Sequence, residues 1–329
     1  MKFIYRSIAV IFLILSVFSF CSFDTLPHVE EKSEGEVVYE YIIEKLYSRS
    51  AEIDMSDFDV SVQDLQKLLT VILKNNPRLF FVNGSVSYKA SSDKTIIMLF
   101  PTYDMSKEET EEANIICDRE ISKALTLIDD SMSDLDKALL LHDYLCLNFS
   151  YDESLKSNNM YSFLNEGMGT CQGYTYTYME MLRAVGIECT FAASDSMVHI
   201  WNLVKLDGVW YHVDVTWDDT PEVFGICESD NFLKSDKAIS TNHRDWYSPN
   251  DVVCDSYDYD SENYTSYITT LVGSGDVNGD GEVDVLDLVL LECESAKIDN
   301  CVMYFCADLD GNLDVNEHDV ELLRKKILG

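Results

Sequence analysis

Residues 167–187 read GMGTCQGYTYTYMEMLRAVGI, which predicts a helix that starts at Cys171, runs through Leu182 and is stopped by Gly186. The free N–H groups and the dipole at a helix N-terminus favour a negative charge, so a cysteine placed there is suited to being a thiolate. A cysteine on its own is more often a small buried hydrophobic residue. A catalytic interpretation therefore needs a partner elsewhere in the chain.

Three strands are predicted after this helix, and they are ECTFAA (188–193), HIWNLVKL (199–206) and VWYHVDVTW (209–217). Asp207 and Gly208 between the last two strands are typical of a two-residue hairpin turn. Counting outward from that turn places Trp201 opposite Asp214. His199 and Asp214 then share one sheet face as diagonal neighbours, about 7 to 8 Å apart at Cα, where an imidazole and a carboxylate can meet.

A cysteine and a histidine oriented by a carboxylate form the minimum apparatus for acyl transfer. Cys171, His199 and Asp214 provide these three groups. Each also has a structural explanation, as a buried thiol, a strand histidine or a solvated strand end. His212 is a rival base, because the same hairpin register puts it on the same sheet face.

Four motifs resemble the transglutaminase-like superfamily, in particular its bacterial extracytoplasmic branch. They are LDKALLLHDYLCLNFSYD (135–152), GTCQGYTYTYMEMLRAVGIEC (169–189), HIWNLVKLDGVWYHVDVTWDD (199–219) and NFLKSDKAISTNHRDW (231–246). The resemblance implies an α+β fold with a papain-like or transglutaminase-like core, in which the helix that carries the cysteine packs on an antiparallel sheet. It also implies that Cys171 is the nucleophile, His199 the base and Asp214 the orienting carboxylate.

The chemistry that this resemblance implies is acyl transfer from an amide to water or to an amine. The Cys171 thiolate attacks the amide, and His199 protonates the leaving amine and then activates the acceptor. The backbone N–H of Cys171 is a candidate oxyanion donor, with Gln172 or Trp201 as a second. The superfamily includes peptidases, amidases and crosslinking enzymes, and no catalytic cofactor is expected.

Two acidic twelve-residue loops near the C-terminus are typical of calcium sites. They read DVNGDGEVDVLD (276–287) and DLDGNLDVNEHD (308–319), and the sixth position is Gly281 in the first loop but Leu313 in the second. The candidate calcium ligands carry side-chain oxygens and are Asp276, Asn278, Asp280, Glu282, Asp284, Asp287, Asp308, Asp310, Asn312, Asp314, Asn316 and Asp319.

Each loop is followed by a predicted helix and neither is preceded by one, so the pair resembles a type I dockerin, a small all-α calcium-loop domain. The resemblance implies calcium-dependent folding and binding to a cohesin domain of a scaffoldin in a cellulosome. Partner-facing loop positions differ, being Val285 and Leu286 in one repeat and Glu317 and His318 in the other, which argues against docking in two orientations. Calcium is expected to fold this unit while the catalytic core stays folded without it.

The N-terminus predicts export, because Lys2 and Arg6 precede an apolar run from residue 8 to 20. Cleavage after Ser19 or Cys21 and lipidation of Cys21 are alternatives, and only lipidation would attach the chain to a membrane. The predicted division of the chain is a signal peptide (1–21), a helical and strand leader (35–130), a catalytic core (131–250), an acidic linker (251–274) and a dockerin (275–329).

The leader and the start of the core show hydrophobic periodicity that predicts further elements. Helices are predicted at 37–49, 61–75, 107–127 and 135–149, and strands at 79–90 and 94–103.

The chain has 59 acidic and 24 basic side chains, a net charge of −35, which would repel nucleic acid and anionic lipid. Its ten cysteines contain no CxxC pair, which argues against a zinc cluster. Most of the cysteines are expected to be buried thiols, although Cys293, Cys301 and Cys306 lie close enough in sequence for one disulfide.

These features predict a secreted, cellulosome-associated cysteine peptidase, amidase or transamidase that acts on protein or peptide substrates. One alternative is a binding module that has kept the fold but lost turnover. Another is an accessory component of polysaccharide degradation, although no pair of carboxylates typical of a glycosidase stands out.

Overall fold

A computed structural model of the chain describes residues 33–219, 227–296, 302–312 and 314–329. The predicted signal peptide, Cys301 and Leu313 lie outside the described residues. Within the described residues, none of the helices combines the length and the apolar character needed to cross a bilayer.

The helices are numbered in chain order and comprise α1 (Glu34–Tyr47), α2 (Val62–Asn75), α3 (Lys107–Leu125), α4 (Asp134–Asn148), α5 (Met160–Glu166), α6 (Cys171–Ala184), α7 (Val215–Asp218), α8 (Asp236–Ile239), α9 (Val285–Ser295), α10 (Tyr304–Ala307) and α11 (Glu317–Leu328). Several begin as their sequences predict, because a serine caps the first turn. Ser133, for example, accepts a hydrogen bond from the N–H of Asp136 at the start of α4.

The strands are β1 (Ile53–Asp54), β2 (Ser87–Ala90), β3 (Ile96–Phe100), β4 (Ser150–Tyr151), β5 (Met168–Gly169), β6 (Cys189–Ser194), β7 (His199–Leu206) and β8 (Val209–Val213). Among the described residues they form a three-stranded sheet β1-β3-β2, a two-stranded parallel pair β4-β5 and a three-stranded sheet β6-β7-β8. The predicted α+β class is confirmed.

The leader forms its own apolar core, in which α1 and α2 pack with the sheet β1-β3-β2 around residues such as Ile42, Ile72 and Leu99. The predicted strand at 79–90 is wrong in its first half. Pro77–Leu79 forms a 3₁₀ turn, and regular pairing of β2 begins only at Ser87. The predicted long helix at 107–127 is confirmed as α3.

In the region around Cys171, α6 packs between α4, α5 and the antiparallel sheet β6-β7-β8. The predicted hairpin register is confirmed, since Leu206 pairs with Val209 and Asn202 with Val213. Asp207 has φ of +51° and Gly208 of +83°, the left-handed pair that a tight two-residue hairpin requires.

The start of α6 lies unusually close to α5. A Cβ added to Gly173 would lie 2.7 to 2.8 Å from three atoms of the Phe163 side chain, so only glycine allows this approach. Phe163 is fully buried and its ring stacks on Phe149 at 4.4 Å. The position of Cys171 therefore depends on a helix contact made two residues later.

We expect Gly173→Ala to destabilise the core by about 1–3 kcal/mol, because the added methyl forces α5 and α6 apart. Thermal unfolding measures the loss. Gly35→Ala in α1 is a matched control, since nothing lies within 4 Å of the added Cβ there. If Gly173→Ala were as stable as the control, the close contact would not be holding the helix.

The C-terminal unit packs against α4 of the core. The backbone N–H of Tyr304 donates to Oδ1 of Asn148 at 3.1 Å. Phe305 is fully buried in the main apolar core, with its ring edge-on to Tyr144 at 6.3 Å.

The preceding acidic segment, 251–274, also runs along the core. Cys254 and Ile268 in it are fully buried. Ser266 donates from both its N–H and its hydroxyl to Oδ2 of Asp143, at 2.7 Å each. These contacts fix both the segment and the C-terminal unit onto α4.

The described cysteines are all free thiols, so Cys293 and Cys306 are not bonded to each other. Burial raises the pKa of several of them, to about 12 for Cys117, Cys189 and Cys306. These thiols are therefore protonated and chemically quiet at neutral pH.

Candidate active site

Cys171 is the first residue of α6 and is half-buried. The N–H groups of the first turn of a helix have no partner within the helix. The N–H of Cys171 and the positive end of the helix dipole can therefore stabilise a thiolate, or an oxyanion beside it.

Asp214 lies where the sheet gives way to a helix. The strand predicted over 209–217 is wrong beyond Val213, because Asp214 caps α7 by accepting the N–H groups of Thr216 and Trp217 at Oδ1. Its other oxygen, Oδ2, lies 2.6 Å from Nε2 of His199. The histidine and the carboxylate thus meet as predicted, through a cap rather than a diagonal strand pair.

The electrostatics of the pair favour ionised partners. Burial alone would lower the pKa of His199, but the charge and hydrogen bond of Asp214, followed by Cys171, outweigh it and raise the pKa to about 10. Burial would raise the pKa of Asp214, but His199 and then His243 outweigh it and lower the pKa to about 2. His199 is therefore an imidazolium at neutral pH, placed between a carboxylate and the Cys171 thiol.

Two aromatic rings hold the imidazole of His199 in place. Trp201 stacks on it with a centroid distance of 5.6 Å, and Trp217 with 5.3 Å. The side chain of Trp217 is 40% exposed, so one face of the site is open to solvent through this ring.

The rival base, His212, is occupied elsewhere. Its Nδ1 accepts the indole N–H of Trp201 at 2.9 Å, and its Nε2 donates to Oδ1 of Asp236 at 2.9 Å. Burial lowers the pKa of His212, so the ring is neutral. The geometry therefore favours His199 over His212 as the partner of Cys171.

The hydrogen bond between Trp201 and His212 also decides whether Trp201 can be the second oxyanion donor. Trp201 is fully buried and its one side-chain N–H donates to His212, so Trp201 cannot supply an oxyanion hydrogen bond and the prediction that it does so is wrong. Its role here is to support the rings of His199 and His212. Gln172 lies in the first turn of α6 and is half-buried, and its part as a donor stays a prediction.

His243 is a residue of the site that sequence reasoning missed. Its Nε2 lies 2.8 Å from Oδ2 of Asp214, the oxygen that His199 also contacts, and its ring is fully buried against Trp217. His243 belongs to the NFLKSDKAISTNHRDW motif, but no spacing connects that motif to Asp214. Only the fold brings the two residues together.

Three clusters among the described residues could hold a metal ion, and they are His199, Asp214 and His243; His212, Asp236 and Cys254; and Asp308, Asp310 and Asp319. In the first two, the histidines already make the direct hydrogen bonds described above. The third lies in the second predicted calcium loop, where three carboxylates converge within 4.8 Å.

The loop residues fit calcium. Asp276 and Asp287 of the first loop are buried, and the N–H groups of Gly279, Gly281 and Val277 donate to them. Burial raises the pKa of Asp276 against the hydrogen bonds from Gly281 and Gly279, and the charge of Asp287 adds to the rise, so a bound cation would offset the repulsion between these carboxylates. Hard carboxylate oxygens in such a loop suit Ca²⁺, which would be held there and would organise the loop.

The sixth position separates the two loops. Gly281 has φ of +87°, a conformation that costs a non-glycine residue about 1 kcal/mol, while its counterpart Leu313 lies outside the described residues. We expect the second loop to bind calcium more weakly, and Leu313→Gly to tighten it by roughly fivefold. Calorimetry should resolve two binding steps, and Gly281→Leu should weaken the first. Equal sites in the wild type would contradict this prediction.

Comparisons with known proteins agree with the predicted pair of domains. Residues 121–215 match the family model of the transglutaminase-like superfamily, and residues 274–328 match that of the dockerin type I domain. The chain therefore combines a transglutaminase-like core with a type I dockerin domain, as predicted. Type I dockerin domains generally bind calcium and imply a cohesin partner.

One curated relative is the kyphoscoliosis peptidase of Mus musculus, 26% identical over 111 residues, which are 28% of this chain and 17% of that protein. The chain thus spans less than a fifth of that relative. Among solved structures, a TGase aligns over 50% of each chain with 14% identity and a TM-score of 0.30. A candidate cysteine protease from Cytophaga hutchinsonii aligns over 40% of this chain and 61% of its own, with 10% identity and a TM-score of 0.26.

Proposed function

We propose that this dockerin-bearing, transglutaminase-like protein is a cysteine-dependent acyl-transfer enzyme that acts on amide bonds of protein substrates. One observation carries the proposal: Cys171, at the N-terminus of α6, hydrogen-bonds with the imidazole of His199, and Nε2 of that ring lies 2.6 Å from Oδ2 of Asp214. A nucleophile, an acid–base group and an orienting carboxylate in contact are the requirement for this chemistry.

In the proposed reaction, the Cys171 thiolate attacks the carbonyl carbon of the amide. The N–H of Cys171 donates to the oxygen that becomes negative, and His199 gives its proton to the departing amine. A thioester joins the substrate acyl group to Cys171. His199, now neutral, then takes a proton from water or from an acceptor amine as it attacks the thioester, giving hydrolysis or crosslinking.

The surroundings of Cys171 suit a peptide. Burial, followed by the charge of Cys171, raises the pKa of Tyr151, so this half-exposed ring lies beside the thiol. Met168, three residues before Cys171, and Trp217, which stacks on His199, are also exposed large hydrophobic residues. Such a rim can pack against substrate side chains while the backbone amide reaches Cys171. That a curated relative is called a peptidase supports a protein substrate.

We further propose that the dockerin tethers the enzyme outside the cell to a cohesin domain of a cellulosomal scaffoldin. The first repeat supports this role, because Val285, Leu286 and Val289 form an exposed apolar strip on α9. The corresponding positions of α11 begin with Glu317 and His318, which are polar. Docking is therefore expected through α9 in one orientation.

Selective alkylation tests the catalytic half of the proposal. Iodoacetamide near neutral pH should modify Cys171 far faster than Cys293, which is also half-buried but lies away from His199. Equal labelling would mean that Cys171 is not activated and would favour a binding module without turnover.

A proteomic screen tests the substrate and the acceptor. Extracellular proteins are incubated with the wild-type chain or with Cys171→Ala, and new N-termini and new isopeptide crosslinks are counted. New N-termini confined to the wild type would identify a peptidase, and crosslinks a transamidase. Identical patterns from both chains would reject the proposal.

A further inference from the structure

The C-terminal end of α2 attaches the leader to the edge of the core. Asn75, the last residue of α2, accepts from Arg183 of α6 at both its backbone oxygen and its Oδ1, at 2.9 Å each. The same Oδ1 accepts the hydroxyl of Thr190 on β6 at 3.1 Å. Because two elements of the core hold this one residue, the residue before it has a defined place on the core.

That preceding residue is Lys74, and its ammonium group lies on aromatic rings of the core. Nζ donates to the hydroxyl of Tyr247 at 2.8 Å. It also lies 5.6 Å from the ring centre of Phe191 and 5.2 Å from that of Tyr247, both within the range of a cation–π contact. The two rings meet edge-on at 6.5 Å, so they form one aromatic surface beneath the cation.

The ammonium group of Lys74 has no acidic partner in the part of the chain that the structure describes. The chain carries 59 acidic side chains, yet within the described residues no carboxylate forms an ion pair with Lys74. An ammonium group has three N–H donors, and Tyr247 accepts from one of them. Lys74 is half-buried and Tyr247 is 36% exposed, so solvent reaches this place. Spare donors on a cation suit a carboxylate that a ligand brings.

The register of the sheet shows how far this group lies from His199. Tyr247 forms an antiparallel bridge with Ala193 at the edge of β6 that faces away from β7. The next residue of β6, Ser194, pairs with His199 of β7. Neighbouring strands lie about 4.8 Å apart, so two steps place the backbone of Tyr247 about 10 Å from that of His199.

A tyrosine of α6 lies between Cys171 and Tyr247. Burial, followed by Cys171 and then by Tyr247, raises the pKa of Tyr176, so this phenol group lies near both residues. Tyr176 follows Cys171 by about one and a half turns of α6. The path from Cys171 to Lys74 therefore runs past Tyr176 and Tyr247.

We propose that Lys74 is a specificity-determining residue that binds a carboxylate of the protein substrate, at about two to four residues from the amide that Cys171 attacks. An extended peptide advances about 3.3 Å per residue, so about three residues span the distance from His199 to Tyr247. The identity of the ligand as a substrate rests on the proposed acyl-transfer function, whereas the binding of a carboxylate by Lys74 does not.

The net charge of the chain sharpens this selection. At −35 the chain as a whole repels an acidic segment, so such a segment is disfavoured wherever its carboxylate does not meet a cation. An ion pair with Lys74 is strengthened where Phe191 and Tyr247 partly displace water. Lys74 would therefore fix the register in which an acidic segment passes Cys171, and the leader would supply part of the substrate site.

The sequences around the reacted amides in the proteomic screen test this proposal. With the wild-type chain, Asp or Glu should be enriched at a position about two to four residues from the reacted amide. Lys74→Met keeps the packing of the stem without its charge and should remove the enrichment. Lys67→Met is the matched control, because Lys67 is an exposed lysine of the same helix, and it should leave the enrichment unchanged. Enrichment that is absent from the wild type, or that persists in Lys74→Met, would overturn the inference.

Kinetics on a pair of peptides from the screen, blocked at both ends and differing only by Glu or Gln at the enriched position, measure the effect. Lys74→Met should raise KM for the Glu peptide about tenfold and leave kcat, and both constants for the Gln peptide, within twofold. A third peptide, with Gln at that position and a free C-terminal carboxylate, distinguishes a chain end from an acidic side chain as the source of the carboxylate. A purely structural role for Lys74 would change all three peptides alike and would contradict the proposal.

Binding without turnover separates this proposal from the proposed function. The full-length, calcium-loaded Cys171→Ala chain is immobilised and offered a library of blocked peptides that carry either Glu or Gln at one fixed position among random residues. Peptides with Glu should be retained in preference, and the added change Lys74→Met should abolish the preference. That result with an inactive wild type would reject the proposed function and support the carboxylate site. An active wild type that shows no preference for Glu in either assay would do the reverse.

Discussion

Cys171→Ala is expected to abolish turnover, and His199→Ala to lower kcat/KM by a factor on the order of 10⁴ or more, because neither half of a nucleophile and base pair works alone. Asp214→Asn should cost less than loss of the thiol but still be large, since the amide keeps the cap of α7 while removing the charge that holds His199. Steady-state kinetics on the substrate from the screen measures all three.

His212→Gln serves as the control for the histidine variants. His212 contacts Trp201 and Asp236 rather than Cys171, so a moderate effect on stability is expected without loss of the thiolate. Full activity in His199→Ala together with complete loss in His212→Gln would assign the base to His212 and contradict the geometry described above.

Calcium removal is expected to abolish cohesin binding and also to lower the melting temperature of the core. The sequence alone predicts a core that does not depend on calcium, but Phe305 and Met303 of the C-terminal unit are buried in the core. Calcium at about a hundred times its Kd adds about 2.7 kcal/mol per site by mass action. A chain of this size should then melt at least about 5 °C lower in chelator.

Tryptophan fluorescence isolates this effect. The four tryptophans, Trp201, Trp210, Trp217 and Trp246, all precede the dockerin in sequence, so their melting curve reports on the core alone. Asp276→Asn without chelator should reproduce part of the shift, because Asp276 is a buried candidate ligand. An identical tryptophan melting curve with and without calcium would show that the core and the dockerin unfold independently.

Much of the fold follows from local sequence. Ser106 and Ser133 are N-cap residues that mark the starts of α3 and α4. Asp207 and Gly208 set the hairpin register that brings His199 near Asp214. These features are local in sequence, where caps, turn residues and hydrophobic spacing dominate.

The rest depends on contacts between distant segments. The capping role of Asp214 ends a strand that hydrophobic alternation alone would extend, because a side-chain oxygen can satisfy the N–H groups of a new helix. His243 reaches Asp214 from 29 residues away, and no periodic pattern records that approach. The packing of Phe305 on Tyr144 could not be predicted from the sequence either. The acidic composition of residues 251–274 is typical of a flexible linker, and a flexible linker would leave the C-terminal unit separate from the core.

The seating of Tyr304 and Phe305 on α4 bears on how a tethered enzyme would meet its substrate. An enzyme joined to its dockerin by a flexible linker could approach substrates in any orientation. With the proposed cohesin docked on α9, the contacts of Tyr304 and Phe305 with α4 would hold the region around Cys171 in a constant orientation relative to that partner. The range of substrates that the proposed enzyme could reach would then depend on the flexibility of the partner itself. Substrates on one side of that partner would meet Cys171 more often than substrates on the other side.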